Sequence, residues 1–205
     1  MLISEAEARE YVPGLTANNV ALGNLIRRVD EAIASFCKYP KATSTAARTM
    51  ESTSYTLYLE GPGGRELELP VWPVTTITTI EDDVTEDFDG ATHLVASSDY
   101  AQRGEHGEIV RLTQTSTQGA WSCTTDPVIK VVVTAGYATV PEALKQAAIE
   151  LVAHKFNQRA SIGKTSVTGG GLSASPSPIK IPDHVKELLG EYVINSIGQG
   201  SEVLP

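Results

Sequence analysis

The hydrophobic repeat of this chain changes period twice, and that limits its fold more than any single motif does. Leu22, Leu25, Ile26, Val29, Ile33, Phe36 and Cys37 recur in steps of three and four, one stripe on a helix of 3.6 residues per turn. Tyr55, Leu57 and Leu59 then alternate with Thr56 and Tyr58, the period-2 repeat of a strand with one buried face. From Pro141 the helical period returns in Leu144, Ala147, Ala148, Leu151, Val152 and Phe156. Runs of helix, then of strand, then of helix describe an α+β protein. A doubly wound sheet would alternate them.

The borders of these runs carry their own signals. Ser4 and Glu7 have capping-box spacing, which predicts a short first helix, and Pro13-Gly14 stops it. The stripe of the second helix runs from about Asn19 to Pro40, with Arg27, Arg28, Asp30 and Glu31 off the stripe. GPGG at 61–64 is a turn signal between alternating stretches, so 53–69 reads as a hairpin. VTTITTI, SDYAQRG, EIVRLTQ and VIKVVVTAG continue the strand region to residue 136.

Residues 161–178, SIGKTSVTGGGLSASPSP, have too few apolar side chains to offset ordering entropy and read as a flexible loop. Pro182-Asp183 opens a last helix bearing Val185, Leu188, Leu189, Tyr192 and Val193. The expected organisation is a helical bundle core from 1–40 and 140–197. An antiparallel β-region, 52–137, is inserted into it, and a flexible tail spans 198–205.

The junction KVVVTAGYATVP at 130–141 joins the longest apolar strand to the best helix. A nucleophile at such a strand-to-helix elbow would suggest hydrolase chemistry, but no G-x-S-x-G stands there. We read Gly136, Tyr137 and Pro141 as a structural corner. Gly136 permits a turn that a Cβ would hinder, Tyr137 covers it, and Pro141 presets the backbone angle of the helix start.

The remaining candidate chemistry is thin. IGKTS at 162–166 resembles the end of a phosphate-binding loop, but Gln158 stands where the motif needs its first glycine. The run EDDVTEDFDG at 81–90 concentrates acids. Aligned on Gly90 as a calcium loop, it places Thr85 at the first ligand position and Ala96 at the last, so it reads as a solvated turn. His93, His106, His154 and His184 have no zinc-ligand spacing. Neither catalytic residues nor a cofactor or metal site is expected.

Cys37 and Cys123 are the only cysteines. They read as two buried thiols in a reducing compartment, with a disulfide between them as the alternative. No charged-then-apolar leader opens the sequence, and no apolar run approaches the ~20 residues that span a bilayer, so no membrane partner is expected. With 25 acidic against 16 basic side chains and a net charge of −9, the balance argues against a protein that grips phosphates and fits solubility or a surface that repels nucleic acid.

Four segments together resemble the head–tail connector (adaptor) family of tailed bacteriophages. They are LIRRVDEAIASFCKYP, LELPVWPVTTITTIED, VVVTAGYATVPEALKQAAIELVAHKFNQR and, after the Gly/Ser loop, IPDHVKELLGEYV. The resemblance covers most of the chain in the family's order. It implies a structural virion protein of the neck and no enzyme. The protein would be assembled in the host cytoplasm as a ring, usually of twelve copies, beneath the portal protein. The ring would extend the DNA channel and dock the next neck or tail protein, and DNA would pass through its lumen without sequence-specific binding.

Apolar residues on a short terminal segment make Tyr192, Val193, Ile197, Val203 and Leu204 candidate contacts with the portal or another partner, although Tyr192 and Val193 can equally close the helical core. Another neck component, such as a stopper or tail-completion protein, is the runner-up, but it would be dominated by strands. An enzyme with a spatially assembled site is the remote alternative.

Overall fold

The computed structural model of the chain describes residues 1–12, 20–88, 93–104, 106–112, 119–158 and 181–194. The Gly/Ser/Pro loop, Ile197 and the terminal tail lie outside the described residues. The elements run α1 (Glu5–Tyr11), α2 (Val20–Phe36), β1 (Thr53–Pro62), β2 (Glu66–Glu68), β3 (Val74–Asp82), β4 (Tyr100–Arg103), β5 (Glu108–Arg111), β6 (Cys123–Ala135), α3 (Glu142–Gln158) and α4 (Asp183–Leu189). The class is α+β, as the two changes of period indicate. No described helix is long and apolar enough to cross a membrane.

Two compact units divide the chain. One comprises Met1–Ile33 with Val140–Tyr192, and the other Ala34–Thr139 with Val193–Pro205. In the first unit, α1 starts at the expected capping box. The Ser4 side chain accepts from the Glu7 amide at 3.2 Å, and Glu7 Oε2 accepts from the Ser4 amide at 2.7 Å, so two otherwise orphaned donors are satisfied.

The α2 stripe buries Leu22, Ile26, Val29 and Ile33, and α3 buries Leu144, Ala147, Ala148, Leu151 and Val152. Asp30, off the α2 stripe, is nevertheless buried. Its Oδ2 accepts from the Leu2 amide at 3.1 Å, so it tethers the segment before α1. Lys145 of α3 lies 3.7 Å from Glu7 and 3.0 Å from Glu142. Val185 and Leu189 of α4 are fully buried.

The second unit holds two three-stranded antiparallel sheets, ordered β1-β6-β3 and β2-β5-β4. Their inward side chains share one core that includes Tyr55, Leu57, Leu59, Leu67, Ile109, Trp121, Val131 and Val133.

The hairpin expected over 53–69 does not form. β1 pairs with β6, Thr53 opposite Ala135 through Leu59 opposite Ile129, and β2 pairs with β5. The GPGG segment instead carries the chain from one sheet to the other. Gly63 N–H donates to Ser122 at 3.0 Å, and the Trp121 amide donates to Gly64 at 2.8 Å. A Cβ at Gly61 would stand 2.2 Å from the Ser122 carbonyl oxygen, so this close crossing of two backbones requires glycine.

Candidate functional site

Two places in the second unit gather the residues that the sequence singles out. The first is the end of β6. Gly136 has φ +104, and its N–H donates to the Pro73 carbonyl at 2.9 Å. Tyr137 then forms a two-bond bridge with the segment leading into β1. Its N–H donates to Met50 at 2.8 Å, and its carbonyl accepts from Ser52 at 3.1 Å.

The Tyr137 ring meets Trp72 edge-on at 6.2 Å, and Trp72 lies 5.2 Å from His106. The Tyr39 hydroxyl donates to the Trp72 carbonyl. Burial pushes the Tyr39 phenol far up, and neighbouring Tyr137 pushes it further, so it stays protonated as a donor. Gly136 and Tyr137 are thus pinned between the β1 lead-in and the Trp72-Pro73 segment. Pro141 stands immediately before α3, where its carbonyl accepts from the Lys145 amide at 3.1 Å as the first helical bond. The corner presents hydrogen-bonded backbone and packed rings, with no nucleophile paired to a base.

The second place is the acidic turn, where Glu86 and Asp87 are exposed, as a solvated turn requires, but the first three acids are not. Glu81 and Asp83 are buried, at 4% and 0% exposure. Glu81 is 2.9 Å from Lys130, and Asp82 Oδ2 accepts from Arg111 at 3.0 Å with both side chains almost completely buried. Arg111 also stacks 4.4 Å over Trp121.

Asp83 organises its own loop. Oδ1 accepts from the Thr85 amide at 2.8 Å and hydroxyl at 2.6 Å, and Oδ2 from the Phe88 amide at 3.0 Å. Burial pushes this carboxyl up, but hydrogen bonds from Thr85, Asp87 and Phe88 outweigh it and hold the group well below the usual carboxylate range. Asp83, Asp87 and His93 bring ligand-type atoms within 4.8 Å of one another, with His93 Nδ1 3.3 Å from Asp83 Oδ2. Because both Asp83 oxygens already accept bonds from the loop, the cluster is explained by the turn that it builds.

The other titratable groups are dispersed. His154 faces Gln158 at 2.8 Å, and His184 lies 3.4 Å from Glu150. Both cysteines are free. Cys37 is buried as read, whereas Cys123 is exposed, because the first residues of β6 lie outside the core. Of the candidate contacts, Tyr192 is 8% exposed, Val193 is half-buried, and Ile194 next to them donates its N–H to the Cys37 carbonyl at 3.0 Å. Ile197, Val203 and Leu204 lie outside the described residues. Sequence reasoning missed Asp82, Arg111 and Trp121, whose only signal was an acid run and a distant lone arginine.

Comparison with known proteins then places the chain. The family model of the head completion protein matches residues 1–194. The chain belongs to the head completion protein family. Its members are structural virion components of phage-like particles, not enzymes, and this fits the resemblance to head–tail connectors.

Among solved structures, the fold is similar to a chain in the neck of an empty gene transfer agent particle computed with C6 symmetry. The TM-score is 0.61 and the identity 21%, over 96% of this chain and 91% of that one. It is also similar to a chain in the virion of a native gene transfer agent particle, with TM-score 0.60 and 20% identity over the same shares. No curated protein matches the chain.

Proposed function

We propose that this head completion protein is a neck adaptor: a ring subunit that sits beneath the portal, extends the DNA channel and offers a docking surface to the next neck or tail protein. The observation that carries the reading is the fold likeness, over 96% of the chain, to a chain of a gene transfer agent neck. That neck was computed with C6 symmetry, and a ring of twelve copies contains a six-fold axis, so the dodecamer is compatible with it. The adaptor is favoured over a stopper by the two 17-residue helices, α2 and α3, which flank the strands in sequence.

Val193, with Ile197, Val203 and Leu204 beyond it, is the proposed portal contact. Tyr192, which the sequence also offered as a contact, is buried at 8% exposure. In the corner, Gly136 and Tyr137 close the end of β6 and Pro141 opens α3. The test mixes purified protein with its portal and images the product by cryo-electron microscopy. A ring beneath the portal is expected, and removal of residues 196–205 should abolish portal binding. Full binding by the truncated chain would sink the contact assignment. Absence of any ring would sink the adaptor.

A further inference from the structure

Residues 32–50 contain no aspartate or glutamate, in a chain with 25 acids among 205 residues. The same stretch carries Lys38, Lys41 and Arg48. The structure gathers all three: Ser35, Lys38, Tyr39, Lys41, Ser44 and Arg48 line an open cleft of about 560 Å³.

Several other cations face acids, although Arg27 donates to Asn24 and Arg65 to the Arg111 carbonyl. Arg9 pairs with Glu5 at 2.6 Å, Arg111 with Asp82 at 3.0 Å, Lys130 with Glu81 at 2.9 Å, Lys145 with Glu142 at 3.0 Å and Lys186 with Asp183 at 2.6 Å. Among the described residues, no carboxylate lies within ion-pair distance of Lys38, Lys41 or Arg48. Arg48 is held in place by its Nε, which donates to the Tyr39 carbonyl at 2.8 Å.

Three unpaired cations and two serine hydroxyls are the donor set that contacts phosphate oxygens. A protein partner would leave a different imprint, because protein interfaces centre on exposed aromatic or aliphatic anchors. The one aromatic ring lining this cleft, Tyr39, is 0% exposed.

We propose that this cleft binds phosphate oxyanions, namely those of the phosphodiester backbone of duplex nucleic acid, without reading its bases. The cleft chemistry follows from the residues alone. The choice of nucleic acid over free phosphate rests on the proposed place of the protein around a DNA channel. The acidic remainder of the chain keeps the contact weak and salt-sensitive, as sliding DNA requires.

The test uses the full chain and fluorescence anisotropy with a labelled mixed-sequence duplex. Three phosphate contacts predict that affinity falls about 40-fold between 50 and 200 mM salt. In Lys38→Asn/Lys41→Gln, only Arg48 remains, and the fall shrinks to about 3- to 4-fold. Asparagine is chosen at position 38 because it tolerates the positive φ of 63° found there. Arg27→Gln/Arg28→Gln removes the same charge from the exposed face of α2 and should leave the slope intact. Circular dichroism melts check that each variant is folded.

An unchanged slope in the lysine variant overturns the proposal, as does equal loss in both variants. Binding of a polyglutamate peptide as tight as that of the duplex would make an acidic protein segment the occupant. Binding of inorganic phosphate at these residues with no duplex binding would make free phosphate the ligand. Assembly with the portal is scored separately. Wild-type protein that keeps the predicted slope but forms no ring rejects the adaptor and supports the cleft.

Discussion

Replacing Gly136 gives a test whose magnitude can be worked from the structure. At φ +104, any other residue is strained by about 1–3 kcal/mol. A Cβ there would also stand 2.4 Å from the Glu51 carbonyl oxygen, 2.7 Å from its carbon and 2.9 Å from the Met50 oxygen. All three are backbone atoms, so no rotamer change relieves the clash, and the Met50–Ser52 segment has to retreat. Retreat weakens the two hydrogen bonds through which this segment holds Tyr137, each worth about 1 kcal/mol. Gly136→Ala should therefore cost about 3–5 kcal/mol, a large part of the 5–15 kcal/mol that typically holds a domain together. Gly136→Val should cost more.

Gly104→Ala is the matched control. Its φ is +61, but a Cβ there meets nothing within 4 Å, so only the backbone cost of about 1–2 kcal/mol applies. Urea denaturation followed by circular dichroism measures both variants. If Gly136→Ala costs no more than Gly104→Ala, the close approach of Met50 and Glu51 is not what fixes this corner.

Two further outcomes follow from buried groups. Burial pushes the Cys37 thiol up to about 12, while Cys123 is exposed, so a disulfide reagent should modify one thiol in the native protein and the second only on unfolding. Two thiols reacting at equal rates would contradict the burial of Cys37. Asp82→Asn should cost about 3–5 kcal/mol in urea denaturation, because it leaves the Arg111 guanidinium buried and uncompensated. A loss below about 1 kcal/mol, the range of exposed pairs, would mean that water reaches the site.

What the sequence makes legible here is whatever is encoded within one or two turns of chain. The Ser4–Glu7 cap, the α2 and α3 stripes, and the alternation of Tyr55, Leu57 and Leu59 are all local patterns, and each appears in the structure where the pattern lies. Pairing is not local. Glycines at 61–64 state that the chain turns, not which strand it meets next, and here Ser122 and Trp121 occupy the place that a hairpin partner would take.

The acidic run misleads for the same reason. Glu81 and Asp82 look solvated at the head of that run until Lys130 and Arg111, both distant in sequence, are brought beside them. The cationic cleft is lined from the end of the α2 stripe and the polar stretch after it. Its signal was the absence of acids, which periodicity does not register.

The position of β6 has a consequence for the order of events during synthesis. β1 and β3 both hydrogen-bond to β6, and Ala135 is opposite both Thr53 and Val74. Two strands made early have no partner in their own sheet until the last strand of the region leaves the ribosome. The sheet therefore closes late, through contacts between residues far apart in the chain, which is the slow class of folding reaction. Until then the Tyr55, Leu57 and Leu59 face is uncovered, so nascent chains are most vulnerable to aggregation or chaperone capture between the completion of β3 and the arrival of Val131 and Val133.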